Sequence, residues 1–118
     1  MLSRETSGQM PRVEVDFHIS VYDLKRRTDQ GERILLLDVR EPDEHATANL
    51  GGLLIPLQAL PGRLAELDRA EEMVVYCHHG VRSVTAVNYL RANGFHKARN
   101  LSGGIDCWSL EIDSSVRR

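Results

Sequence analysis

Short apolar runs alternate with polar segments along most of this chain. Residues 34–37 and 73–76 are apolar without the alternation of a half-buried strand, which predicts strands buried on both faces, as in a parallel sheet. Residues 53–55, just before a proline, predict a third strand of this kind. Residues 98–100 predict the last strand, and residues 13–15 predict a short strand at the edge of the sheet.

Helical spacing fills the intervals between these strands. Ser20 is a typical N-cap, and the pattern predicts a helix that turns Val21, Leu24 and Tyr22 inward and stops at Gly31. A second, short helix is predicted at Pro42, where a proline followed by acidic residues suits a first helical turn. Four leucines at spacings of three and four predict another helix: Leu57, Leu60, Leu64 and Leu67.

Two more helices follow the run at residues 73–76. The first is an amphipathic helix from Ser83 that ends at Gly94, with Val84, Val87, Leu90 and Arg91 on it. The second is short and runs from Gly103-Gly104 through Trp108. Strand and helix therefore alternate from end to end, which predicts an α/β domain with a parallel sheet.

A chain of 118 residues suits a single domain, which we place at residues 12–113 between a flexible tail at 1–11 and a short tail at 114–118. A net charge of −2 gives no basic surface for nucleic acid or for an anionic membrane. The sequence lacks a signal peptide and a run long enough to span a bilayer, and two cysteines make no disulfide framework. We therefore expect a cytoplasmic protein.

Cys77 carries the strongest chemical signal, because it follows a buried strand and begins the loop Cys77, His78, His79, Gly80, Val81, Arg82, Ser83. A parallel strand brings its last residue to the carboxyl edge of the sheet, where α/β proteins bind their ligands. The loop can direct backbone N–H groups toward one point, and the following helix dipole adds positive potential there. We predict a reactive thiolate at Cys77.

Four separated segments form a recognisable set: LDVREPDE at 37–44, IPL at 55–57, VYCHHGVRS at 75–83 and LSGGIDCW at 101–108. In their order and spacing they resemble a rhodanese-like sulfurtransferase domain, and the resemblance covers about residues 12–113. Residues 49–52 and 108–113 are most similar to rhodanese domains joined to adenylyltransferases of cofactor biosynthesis. His45, Asn49, Leu50 and Cys107 depart from the usual family residues, but none of them lies in the Cys77 loop.

The resemblance implies a central parallel sheet of about five strands with helices on both faces. It also implies a sulfurtransferase that takes sulfur from a donor such as thiosulfate, holds it as a persulfide on Cys77 and needs no other cofactor. The acceptor would be a small nucleophile such as cyanide or a thiol. The adenylyltransferase likeness adds a ubiquitin-like sulfur-carrier protein as a candidate acceptor.

The other loop residues have both a functional and a structural interpretation. Arg82 is expected to stabilise the anionic donor, and its alternative role is a salt bridge that holds the loop to the sheet. Gly80 allows a backbone angle or a close anion approach that a side chain would block. His78 and His79 would line the mouth of the site, and we predict no metal there because adjacent side chains in a tight loop usually point apart.

Asp38 and Arg40, after the strand at 34–37, are expected to support the loop by hydrogen bonds. Cys107 is expected to be a small buried residue, with a resolving thiol as the alternative. Trp108 is expected in the core, with a wall of the site as the alternative.

Two rival functions share this pattern. Cysteine phosphatases carry Cys-x5-Arg, whereas Cys77 and Arg82 enclose four residues, and Tyr76 stands where those enzymes usually have histidine. A catalytically silent binding or sensing module is the other alternative, and the intact pair of Cys77 and Arg82 argues against it.

Overall fold

A computed structural model of the protein describes residues 15–117 and contains one parallel sheet. Five parallel strands pair in the order β1, β5, β4, β2, β3. Their bounds are His18–Ile19 for β1, Leu35–Asp38 for β2, Leu53–Leu54 for β3, Met73–Tyr76 for β4 and Ala98–Leu101 for β5. The predicted parallel α/β fold is confirmed, and β4, which leads into Cys77, is the central strand.

Within residues 15–117, three α-helices and two short 3-10 helices connect the strands, and a fourth α-helix follows the last strand. The α-helices are α1 (Val21–Asp29), α2 (Pro42–Thr47), α3 (Val81–Ala92) and α4 (Gly104–Glu111), and the 3-10 helices are Leu57–Gly62 and Leu64–Glu66. The predicted cap at Ser20 is confirmed, because its side chain accepts a hydrogen bond from the backbone N–H of Asp23. Gly31 and Gly94 follow the C-caps of α1 and α3 with positive φ, as predicted.

The sheet is covered on both faces, and alternate residues of β4 divide between two apolar clusters. Met73 and Val75 face α3 and the 3-10 helices, in the same cluster as Cys77. Val74 and Tyr76 face α1 and α4. A strand buried on both sides in this way explains the continuous apolar run in the sequence.

The predicted helix over the leucines at 57–67 is wrong. Two 3-10 segments take its place, and Pro61 lies inside the first of them. Proline has no N–H for a helical hydrogen bond and its ring clashes with the preceding turn, so a continuous α-helix cannot pass through this position. Leu60 and Leu67 are nevertheless buried, as the spacing predicts.

Two further predictions need correction. Tyr22 is 57% exposed rather than inward, because it lies on the opposite side of α1 from Val21 and Leu24 and donates from its hydroxyl to Glu111. The edge strand is His18–Ile19 rather than 13–15. Residues 13 and 14 lie outside the described residues, and Val15 is in no strand.

The helices of residues 15–117 are all too short or too polar to cross a lipid bilayer. At the C-terminal end, Val116 packs against the second apolar cluster, and its carbonyl accepts a hydrogen bond from Ser109.

Candidate active site

Cys77 lies directly after β4 at the carboxyl edge of the sheet, and only 1% of its surface is exposed. The backbone N–H groups of Gly80 and Ser83 point at its Sγ from 3.1 and 3.4 Å. Two backbone donors on one sulfur stabilise negative charge there more than a neutral thiol. Both cysteines are free thiols.

Helix α3 begins two residues earlier than predicted. Gly80 is its N-cap, with φ of +96° in the left-handed region, so the loop proper is Cys77 to Gly80, and Arg82 and Ser83 belong to the first helical turn. Glycine is favoured at such a φ because it has no Cβ. The loop ends at this residue, and the helix begins at Val81. The positive end of a twelve-residue helix therefore lies at the Cys77 sulfur.

The carbonyl side of the loop is held by the start of α4. Ile105 N–H donates to the Cys77 carbonyl at 2.9 Å and Asp106 N–H donates to the His78 carbonyl at 3.0 Å. Gly104 makes this approach possible, because a Cβ there would lie 2.4 Å from both carbonyl oxygens. The loop is thus fixed between two helix N-termini through backbone atoms.

The Ser83 side chain joins the site as well as its N–H. Its Oγ lies 3.3 Å from Cys77 Sγ and donates a hydrogen bond to Asn100 Oδ1. Ser83 and Asn100 are 0% and 2% exposed. Sequence reasoning placed Ser83 in the loop but missed Asn100, which lies on β5 and whose polar side chain in a buried strand was the available signal.

Arg82 forms a bidentate ion pair with Glu44 of α2, with its Nη1 and Nη2 donating to Oε1 and Oε2 at 2.7 and 2.9 Å. The hydrogen bonds from Arg82 lower the pKa of Glu44 to about 2. The partner that sequence reasoning missed is therefore Glu44, which was interpreted only as a first-turn helix charge. The guanidinium links the Cys77 loop to α2 rather than to the sheet.

Asp38 and Arg40 form a buried cluster beside the loop. Arg40 Nε and Nη2 donate to the two carboxylate oxygens of Asp38 at 2.9 and 2.8 Å, and Nη2 also donates to the Ala48 carbonyl. Burial alone would raise the pKa of Asp38, but hydrogen bonds from Arg40 and His45 bring it below its ordinary value. These bonds hold the segment around α2 that presents Glu44 to Arg82.

His78 and His79 do not point apart, contrary to the argument from sequence. Their ring centroids are 3.9 Å apart, and His79 Nε2 lies 3.8 Å from Asp106 Oδ2. The possible ligand atoms of His78, His79 and Asp106 lie within 4.8 Å of one another, although His79 is 62% exposed at its side chain. The absence of a metal stays a prediction. The reason given for it from the sequence, that the two histidine side chains point apart, is wrong.

A cavity of about 220 Å³ opens beside the loop. His78 lines it from the loop side, and the other lining residues carry charges of both signs or are small: Arg40, Asp43, Glu44, Thr47, Ala48 and Arg117. The His78 Nε2 atom is buried and makes no hydrogen bond within the part of the chain that the structure describes. The cavity is of small-molecule size and reaches the loop at His78.

Cys107 and Trp108 lie in α4 and pack against the apolar cluster on the other face of the sheet from Cys77. Partial burial is the main cause that raises the pKa of the Cys107 thiol, and the nearby carboxylates of Glu111 and Asp106 raise it further. Trp108 lines a separate cavity with Leu24 and other residues near α1. Both residues pack against this cluster, as predicted, but they are only partly buried rather than fully enclosed in the core.

Proteins named for sulfur chemistry are similar to this chain. A sulfurtransferase of Allochromatium vinosum is 36% identical over 87 residues, which are 73% of this chain and 81% of that protein. The putative sulfur carrier protein YrkF of Bacillus subtilis is 35% identical over 91% of this chain, and the probable adenylyltransferase/sulfurtransferase MoeZ of Mycobacterium tuberculosis is 34% identical over 83%. The chain spans only 55% of YrkF and 26% of MoeZ.

Solved structures show the same fold. A rhodanese-like domain protein from Staphylococcus aureus superposes with a TM-score of 0.74 at 31% identity, over 85% of this chain and 95% of that one. A human single-domain sulfurtransferase superposes with a TM-score of 0.72 at 26% identity, over 82% and 98% of the two chains. The sequence profile of the Rhodanese-like domain matches residues 20–111, and the chain therefore belongs to the rhodanese-like domain family.

Proposed function

We propose that this protein is a sulfurtransferase that carries sulfane sulfur as a persulfide on Cys77. The observation that carries the proposal is the environment of Cys77 Sγ, which receives two backbone N–H groups at the positive end of α3. Such an environment stabilises a sulfur anion through backbone groups. The names of several relatives support the same chemistry.

The reaction has two nucleophilic steps. The Cys77 thiolate attacks the outer sulfur of thiosulfate, a new S–S bond forms, and the old S–S bond breaks as sulfite leaves with its electron pair. An acceptor such as cyanide or a thiolate then attacks the outer sulfur of the persulfide, and Cys77 leaves as the thiolate. The N–H groups of Gly80 and Ser83 face Sγ, which carries the negative charge before the first step and again when Cys77 leaves as the thiolate in the second.

This chemistry needs no metal or organic cofactor, because both steps exchange one sulfur between nucleophiles without a separate electron acceptor. It does need Cys77 in its reduced form. A reducing compartment such as the cytoplasm would maintain that form, and we propose this location for the protein.

The test is sulfur transfer from thiosulfate to cyanide by the purified protein. Cys77→Ser should abolish thiocyanate formation and keep the fold, while the matched control Cys107→Ala should retain most of the activity. After thiosulfate treatment, an intact-mass measurement should show one added sulfur atom in the wild type and none in Cys77→Ser. A folded wild type that gains no sulfur would point to a silent binding module instead.

We further propose that the acceptor in the cell is the activated carboxyl terminus of a ubiquitin-like sulfur-carrier protein. Relatives named as adenylyltransferase/sulfurtransferase and as a sulfur carrier support a protein acceptor. The rim of the loop leaves an open approach, since Val81 is 75% exposed and the His79 side chain 62%. A flexible carboxyl-terminal tail is narrow enough to reach a sulfur that a folded surface cannot touch.

To test the acceptor, Cys77 is loaded with labelled sulfur and offered to glutathione and, separately, to an adenylated carrier protein from the same cell. We expect faster transfer to the carrier. Efficient transfer to glutathione with none to any carrier would contradict the protein acceptor and leave the sulfurtransferase proposal intact.

A further inference from the structure

A chain of hydrogen bonds connects Cys77 to the edge of the sheet. Cys77 Sγ lies 3.3 Å from Ser83 Oγ, which donates to Asn100 Oδ1, and Asn100 Nδ2 lies 3.1 Å from His18 Nδ1. His18 and Asn100 are paired residues of β1 and β5, so the sheet itself fixes their separation. Ser83 and Asn100 are buried, whereas His18 is exposed.

The number of hydrogen atoms in this series of hydrogen bonds limits which bonds Ser83 can donate. A serine hydroxyl has a single hydrogen, and in the observed arrangement Ser83 gives it to Asn100. Ser83 Oγ therefore presents only lone pairs to Cys77 and can accept the S–H of a thiol. This polarity suits the protonated sulfur and opposes the anion.

The same heavy atoms also support the opposite polarity. If the Asn100 amide turns by half a rotation, its Nδ2 donates to Ser83 Oγ and its Oδ1 accepts from an Nδ1–H of His18. Such an N–H exists in one neutral tautomer of histidine and in its protonated form. Ser83 is then free to donate its hydrogen to Cys77 Sγ, as a third hydrogen bond to the anion.

We propose that Asn100 is a positioning residue for Cys77. Through Ser83 it supplies an acceptor to the thiol and a donor to the thiolate, and His18 completes the chain in both polarities. On the sulfurtransferase proposal, the same donor would serve Sγ when Cys77 leaves as the thiolate in the second step. No proton passes between Cys77 and His18, because the thiol releases its proton to solvent and His18 Nδ1 takes its hydrogen from solvent.

Other charged groups surround this chain and stay in place in every variant below. They are Arg82 with its partner Glu44, His78, His79 with Asp106, and Arg99, whose guanidinium donates to the His18 carbonyl. A change in the reactivity of Cys77 in these variants therefore reports the loss of hydrogen bonds and not the loss of one of these charged groups.

The experiment measures the alkylation rate of Cys77 against pH in a Cys107→Ala background, which leaves one thiol. Ser83→Ala should move the midpoint of the profile upward by about one pH unit, or about tenfold in rate at neutral pH, for one lost hydrogen bond to a charged sulfur. Asn100→Leu removes the acceptor that takes the Ser83 hydrogen, so that hydrogen turns to Cys77 and the midpoint should move downward. The double variant should have the midpoint of Ser83→Ala, since Asn100 acts through Ser83. Ser83→Thr, which keeps the hydroxyl, should restore the wild-type profile.

His18 provides a second comparison at an exposed position. His18→Leu removes the donor that stabilises the turned Asn100 amide, so it should move the midpoint upward, and His18→Gln, which can donate or accept, should not. An Asn100→Leu variant with lower unfolding free energy and an unchanged profile would overturn the proposal. The proposal would also be overturned if Asn100→Leu moved the midpoint equally in the wild-type and in the Ser83→Ala background. Alkylation requires no sulfur donor, so these results are independent of whether the protein transfers sulfur.

Discussion

At the scale of single residues, Gly104 is the position on which the shape of the Cys77 loop depends most directly. Its φ of +64° lies in the left-handed region, and its missing side chain lets the backbone of α4 reach the carbonyls of Cys77 and His78. Gly31 has a φ of +82°, but a Cβ at that position would meet no atom within 4 Å. Substitutions at these two glycines can therefore distinguish the cost of backbone strain from the cost of steric overlap.

Gly104→Ala should lower the free energy of unfolding by about 2–4 kcal/mol, because strain adds to overpacking against two carbonyls. Gly31→Ala should cost only about 1 kcal/mol, since strain acts alone there. Urea unfolding measures both, and thiosulfate turnover at a temperature where each variant is folded should fall only for Gly104→Ala. Equal losses of stability would show that the contact with the loop carbonyls is unimportant.

At the scale of elements, the pair of Arg82 and Glu44 joins α3 to α2 across the mouth of the site. The guanidinium can either serve an anionic donor or hold the two helices together. The ion pair leaves both roles open, because about a third of each side chain stays exposed: 37% for Arg82 and 31% for Glu44.

Arg82→Ala should slow thiosulfate turnover by about 1–3 kcal/mol of activation free energy, if its charged hydrogen bond forms in the transition state. Glu44→Gln keeps the shape of the partner and removes the competing charge, so we expect an unchanged kcat and a lower KM for thiosulfate. Steady-state kinetics separate the two parameters. Equal losses of kcat in both variants would assign the pair to helix packing alone.

The same scale shows where local sequence signals succeed. Ser20, Pro42 and Gly94 mark helix boundaries through hydrogen bonds and backbone angles within one turn of themselves, and these predictions are confirmed. Between the predicted leucine positions, Pro61 prevents a continuous α-helix, so the apolar spacing alone does not predict the structure there. Strand β1 has two residues, too few for any periodic pattern.

At the scale of the whole molecule, the partners that complete the site come from distant positions in the chain. Glu44 is 38 residues from Arg82, and Asn100 is 17 residues from Ser83. No local pattern links such residues, so the sequence could predict the nucleophile and its loop but not the side chains that orient them. The packing of α2 and α3 beside the carboxyl edge of the sheet brings them together.

Acid should destabilise the whole domain through two carboxylates near the site. The folded-state pKa of Glu44 is lowered from 4.5 to about 2, and that of Asp38 is also lowered. A lowered folded-state pKa stabilises the protein above the unfolded-state pKa, and this stabilisation is lost as the pH falls toward the folded-state value. For Glu44 the loss should occur between about pH 4.5 and pH 2.

Glu44→Gln tests this directly. The variant should be less stable than wild type at neutral pH by about 1 kcal/mol or less, because the pair is partly exposed. The difference should shrink as the pH approaches 2, where the wild-type carboxylate also becomes protonated. Urea unfolding at a series of pH values measures it, and a difference that is constant over this range would contradict the linkage.

The attachment of the loop by its carbonyls has a consequence for how this protein can change. Ile105 and Asp106 hold Cys77 and His78 through backbone atoms, and those bonds do not depend on which side chains the loop carries. His79 and Val81 project outward from that fixed frame. Substitutions at these two positions could therefore redirect the protein to a new sulfur acceptor during evolution or engineering, while the nucleophile retains its geometry.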